Sequence, residues 1–147
     1  MNFKAAAVAR ILLGLVFFVF GLNGFLHFYQ APMSPSAVAF FGGLAASGYL
    51  VPVLFGTQLV AGLALLAGRF VPLALAVLAP ILVNIIGFHI FLAPPSALGV
   101  PILVLGLEIF LVWYYREAFR PMFRARVEMA HGPAQAVRRA SVPAAAR

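Results

Sequence analysis

Four long apolar runs organise this chain: Val8 to Phe28, Tyr49 to Ala67, Phe70 to Leu92 and Leu98 to Tyr115. A helix crosses a hydrocarbon core of about 30 Å with roughly 20 mostly apolar residues, so each run predicts one spanning helix. The runs end where helix-stopping or charged residues stand: Gly68-Arg69, Ala93-Pro94-Pro95 and Arg116. Pro52, Pro72 and Pro101 fall in or near first turns, where a missing N–H costs least. Between the first two runs, Ser34-Pro35 reads as an N-cap followed by proline at the first helical position, opening a helix over Ser36 to Ser47. That stretch is too short to span. It is expected to lie as an interfacial or partly re-entrant helix over one mouth of the bundle. The competing reading is a fifth packing element without a function.

The predicted fold is therefore all-α: an integral membrane bundle of four transmembrane helices, with an extra short interfacial helix in the first outer connection. Composition agrees. Of 147 residues, 65% are hydrophobic and 9% charged, with mean hydropathy +1.09. A soluble domain of this size lacks the polar residues to cover such a surface. The first run exceeds the apolar core of a signal peptide, roughly 7–15 residues, and no clear cleavage site follows, so it is expected to be retained.

The net charge of +7 is a matter of position. Seven of the ten cations lie beyond Tyr115, and the others are Lys4, Arg10 and Arg69. They flank apolar segments rather than cover a soluble face, which argues against nucleic acid as a partner. The connections Tyr29 to Gly48 and Ala93 to Ala97 carry no charge. Four spans put every basic segment on one side, and the positive-inside rule makes that side the cytoplasm. The expected location is a bacterial-type cytoplasmic membrane, multi-pass, with both termini cytoplasmic. Residues 1–115 form the transmembrane domain in this reading. Residues 116–129 form a basic juxtamembrane segment in which Arg116, Arg120, Arg124 and Arg126 meet anionic lipids, and Pro121 bends it. Residues 130–147, rich in Ala, Pro and Arg, read as a disordered tail, and its Arg138-Arg139-Ala140-Ser141 resembles a kinase site by chance. Trp113, Tyr114 and Tyr115 suit the inner aromatic belt.

Polar groups inside a bilayer are expensive and demand a partner or a purpose. Those within the runs are Asn23, His27, Thr57, Gln58, Asn84, His89 and Glu108. Counting 1.5 Å per residue puts the two histidines within about 5 Å of the outer surface and the three amides roughly 8–12 Å deep. The same count puts Glu108 near the midplane. Asn23 and His27, four apart, share a helix face. Asn84 and His89 are five apart, about 140° around a helix, and are not expected to aim at one point. Asn84 is assigned to the bundle interior, and His89 to either the interior or the interface. Pro80 frees the carbonyl of Ala76 and is expected to kink the third span beside Asn84, widening the bundle locally. A midplane carboxyl must be protonated, paired or open to water. Glu108 is expected to be buried and hydrogen-bonded to Gln58 or Asn84. Asn23, His27, Gln58, Asn84, His89 and Glu108 make up the candidate ligand pocket. The competing reading of the amides is interhelical hydrogen-bond glue, and of the histidines, snorkelling to the interface. No metal site or catalytic residue is assigned. Gly14 and Gly21, and Gly99 and Gly106, are spaced for close helix packing, either within the bundle or in a homo-oligomer.

These residues carry a family resemblance. Arg10-Ile-Leu-Leu-Gly14 and Gly21-Leu-Asn-Gly-Phe-Leu-His-Phe28 resemble the opening of DoxX-type membrane proteins. Ser47-Gly-Tyr-Leu, Gly68-Arg-Phe-Val-Pro-Leu-Ala-Leu75, Ala79-Pro-Ile81 and Asn84-Ile-Ile-Gly-Phe-His89 continue it, so that it covers about Ala7 to Phe123. The resemblance implies four transmembrane helices and an association with membrane redox chemistry. The related DoxD subunit belongs to a thiosulfate:quinone oxidoreductase. Such sequences commonly carry lysine after the first-span asparagine, where this chain has Gly24.

Three functions compete. The first is a quinone-interacting membrane subunit of an oxidoreductase, since a quinone needs an apolar slot with a few polar groups for its carbonyls and protons. The chain has no cysteine and no flavin motif, so electrons would come from a soluble redox partner protein. A bis-histidine haem on His27 and His89 is the less favoured cofactor. The second is a non-enzymatic scaffold or assembly factor. The third is a small-solute channel or carrier, which would require oligomerisation.

Overall fold

The computed structural model describes residues 3–123, which are helical with no strand among them. The helices are α1 (Phe3–Leu26), α2 (Pro35–Ala46), α3 (Leu50–Ala67), α4 (Val71–Phe91), α5 (Gly99–Tyr114) and the single turn α6 (Arg116–Phe119). A 3-10 turn, Pro95–Leu98, leads into α5, and another, Arg120–Phe123, follows α6. Among the described residues four helices are long and apolar enough to cross a membrane: α1, α3, α4 and α5 with its 3-10 lead-in. The first begins and ends earlier than its apolar run suggested. Ala5, Ala6 and Ala7 are strong helix formers that carry α1 back to Phe3, and His27, in the left-handed region at φ 52°, terminates it after Leu26.

Each long helix packs against two others, in the cyclic order α1, α3, α4, α5. Successive members run in opposite directions. The second half of α1, the first half of α3, the second half of α4 and the start of α5 therefore share one end. Lys4, Arg10, Arg69 and Arg116 belong to the other end, which we call the basic end. The core is a column of Leu13, Phe17, Leu65, Leu75, Leu78 and Leu111, all at most 2% exposed.

The closest pairing is α1 with α3. A Cβ on Gly62 would lie 2.5 Å from Phe18 N, and one on Gly21 2.6 Å from Leu59 N. Gly14 lies against Gly62 and Leu65 in the same seam. Glycine here removes the side chains that would hold the backbones apart. Gly99 and Gly106 behave differently: among the described residues nothing stands within 4 Å of a Cβ built on either, so they form no such seam there.

The turn between α3 and α4 is fixed by its own chemistry. Gly68 takes φ 68°, and the N–H groups of Gly68 and Arg69 donate to Leu65 O and Ala64 O. The Arg10 guanidinium donates to the carbonyls of Leu65 and Leu66, adding a cation at the negative end of the α3 dipole.

The short helix forms as the Ser-Pro pair predicted. Ser34 Oγ accepts from Ala37 N at 3.2 Å, with Pro35 in the first turn. The same hydroxyl donates to Leu92 O at 2.7 Å, tying the start of α2 to the end of α4. At the other end Ser47 Oγ donates to Leu44 O and accepts from Leu50 N, and Gly48 at φ 76° turns the chain into α3.

After α5, Arg116 and Arg120 are exposed while Phe119 packs into the core cluster. Glu117 pairs with Arg120 at 3.0 Å and with Arg116 at 3.7 Å. Arg124, Arg126 and the expected disordered tail lie outside the described residues.

Candidate functional site

At the end opposite the basic one, the helices separate around a cleft of about 500 Å³. Val16, Phe17 and Phe20 come from α1, Leu54, Phe55 and Gln58 from α3, and Ile81 to His89 from α4. The start of α5 closes the ring as far as Val104. Phe40 and Phe41 of α2 form a further wall. Their rings meet Phe88 of α4 with centroids 5.6 and 5.4 Å away, a spacing at which edge-on aromatic contacts are favourable. The result is a slot walled by aromatic rings, with few polar groups.

Three expected pocket residues line this slot: Gln58, Asn84 and His89. Gln58 is only 4% exposed, and none of the side-chain hydrogen bonds among the described residues involves it. Its amide therefore offers both a donor and an acceptor to an occupant. Asn84 donates from Nδ2 to Pro80 O at 2.9 Å, one turn earlier, which leaves Oδ1 as an acceptor. His89 Nδ1 lies 2.7 Å from Ile85 O. A carbonyl can only accept, so a neutral ring carries its proton on Nδ1 and keeps a lone pair on Nε2. That bond folds the ring back along α4. His89 and Asn84 both line the cleft, which is wide enough to take side chains well apart around α4.

The other three expected members are elsewhere. Asn23 brackets the chain after α1: its Nδ2 donates to Tyr29 O at 2.9 Å and its Oδ1 accepts from Tyr29 N at 2.7 Å. It holds Tyr29, which lines the cleft, and does not line it itself. His27 is exposed and outside the cleft. The shared face with Asn23 required helix through position 27, but α1 has already ended. Of the two histidines, only His89 lines the cleft.

Glu108 departs furthest from expectation. It is buried, yet neither carboxyl oxygen has a hydrogen-bond partner among the described residues. Its neighbours Leu107 and Phe110 share a groove with Lys4 to Leu12 of α1. Gln58, by contrast, adjoins Leu59, whose backbone faces Gly21. Among the described residues no hydrogen bond joins Glu108 to Gln58 or to Asn84. It lies on the buried face of α5 with Val104 and Leu111, one turn below the cleft floor and toward the basic end.

Sequence reasoning did not assign the aromatic walls. Phe40 and Phe41 sit in the one apolar segment too short to span, and that was the available signal. Phe55 has a second role. A Cβ on Gly24 would fall 2.0 Å from its ring, so Phe55 occupies the space that a lysine at position 24 would need. Comparison with family models, curated proteins and solved structures finds no match for this chain.

Proposed function

We propose that this chain is a multi-pass protein of a bacterial-type cytoplasmic membrane, and that its cleft binds the head of a lipophilic carrier of the quinone class. The start of α1 and the end of α5 face the cytoplasm in this reading, because the basic residues gather at that end. The cleft then opens in the outer half of the membrane, with α2 as the interfacial helix across its mouth.

One observation carries the proposal: an aromatic-walled cleft of about 500 Å³ whose polar side chains include Gln58, Asn84 and His89, contributed by two different helices. Ligand sites of roughly 300–1,000 Å³ typically combine apolar walls with a few placed polar groups. Aromatic faces stack on a flat ring. The Gln58 amide donates to a ring carbonyl, while Asn84 Oδ1 and His89 Nε2 accept from a ring hydroxyl. Such a set distinguishes an oxidised from a reduced head by where its hydrogens sit. The carrier supplies two-electron chemistry, and this chain's residues bind it, orient it and hold a proton at His89. Electrons come from a partner protein. The resemblance to DoxX-type proteins points the same way, with Phe55 standing over Gly24 where such sequences commonly carry lysine.

The test is titration of the detergent-purified protein with a short-chain benzoquinone and its quinol, read by calorimetry. Gln58→Leu should weaken quinone binding about tenfold, and His89→Phe should weaken quinol binding by a similar factor, as expected for one buried hydrogen bond each. Wild-type affinity in both variants, or no binding by the parent protein, rejects the assignment. A stoichiometric protein partner retained by the parent without quinone binding would favour the scaffold reading.

A further inference from the structure

At the basic end α1 and α5 border a shallow, open groove of about 460 Å³. Lys4, Ala5, Val8 and Leu12 form one wall, and Leu107 and Phe110 the other. The groove exists because Ala5 and Ala9 present only methyl groups where larger side chains would close it. Lys4 is its one charged residue.

The cations near this end differ in what they hold. Arg10 is engaged by the carbonyls of Leu65 and Leu66, and Arg116 and Arg120 share Glu117. Lys4 and Arg69 are exposed and neither has an ion-pair partner among the described residues, but only Lys4 lines the groove. An ammonium on an apolar slot fits an amphiphile with an anionic head. The length agrees as well: from Lys4 to Leu12 the helix rises by eight steps, about 12 Å, close to the roughly 15 Å depth of one leaflet's hydrocarbon.

We propose that this groove binds an anionic glycerophospholipid of the adjacent leaflet, one acyl chain lying between α1 and α5 and the phosphate on the Lys4 ammonium. The site requires that the helices stand in a bilayer, and it is independent of what fills the cleft. It differs from the general attraction of a basic segment to an anionic surface in being one slot with one cation.

Native mass spectrometry of the full chain in mild detergent tests it, counting lipid retained after incubation with phosphatidylglycerol or phosphatidylcholine. The parent protein should retain phosphatidylglycerol about fivefold better, the factor expected for one lysine near a phosphate. Lys4→Gln should bring the ratio close to one, while Arg69→Gln, in the α3–α4 turn, should leave it unchanged. Ala5→Phe, at an exposed wall position, should displace both lipids by filling the slot. A parental ratio in Lys4→Gln, an equal loss in Arg69→Gln, or full retention in Ala5→Phe would each overturn the proposal. So would equal retention of the two lipids by the parent.

Discussion

The α1–α3 seam and the cleft are built beside each other from much the same apolar residues, yet one is closed to the backbone and the other stands open. In the seam, Gly14, Gly21 and Gly62 let two helices approach until added methyl groups would strike backbone atoms. In the cleft, Phe17, Phe20, Phe40, Phe41, Phe55 and Phe88 surround a space that no side chain fills. Glycine lets helices touch, whereas large rings facing one another hold them apart. The two regions also treat polar groups differently. Gln58 turns its amide to an open space, while Glu108 is enclosed in the packed column with no partner. The seam and column set stability, and the cleft is the region free to change its contents.

The largest effect should come from the seam. Gly62→Ala places a methyl 2.5 Å from Phe18 N and 2.9 Å from Gly14 O. Backbone cannot yield cheaply, so unfolding in detergent with added denaturant should show a loss of about 3 kcal/mol. Helix propensity alone would give a gain of about 1 kcal/mol, so the sign of the change decides between close packing and none. Next comes Glu108→Leu. Removing a buried carboxyl without hydrogen bonds should raise stability by about 1–3 kcal/mol in the same assay. A loss there would mean that Glu108 is satisfied in the membrane, and the contrast with Gln58 would fail. Asn23→Ala should cost about 1 kcal/mol and speed amide exchange at Tyr29, sharpening the view of Asn23 as a bracket for the cleft rim. The smallest effect belongs to Gly106→Ala, where an added methyl meets nothing, so only the helix-propensity gain of at most about 1 kcal/mol is expected in dilute detergent. A large change at Gly106 would reveal a second copy packed on α5.

Helix number, type and approximate limits were legible in the chain because apolar runs of membrane length tolerate only one local structure, the helix, which satisfies its own backbone. The cap at Ser34-Pro35 was legible for the same local reason: donor and acceptor lie three residues apart. The pocket was not, since membership depends on where helices stand along one another. Periodicity put Asn23 and His27 on one face, but a left-handed residue at 27 ended the helix first. Depth counting put Glu108 near the midplane and the expected bond to Gln58 or Asn84 assumed that it reached them, but it lies a turn below the cleft with no partner among the described residues.

What the sequence determined by itself was thus everything that follows from hydrophobicity and from bonds within one helix: four long apolar helices, a short capped one, and basic residues confined to alternate connections and so to one end of the bundle. Only the tertiary structure decided which polar groups meet. Side-chain chemistry acts over a few ångströms, and a helix displaced by a single turn exchanges one set of neighbours for another without altering its own hydrogen bonds.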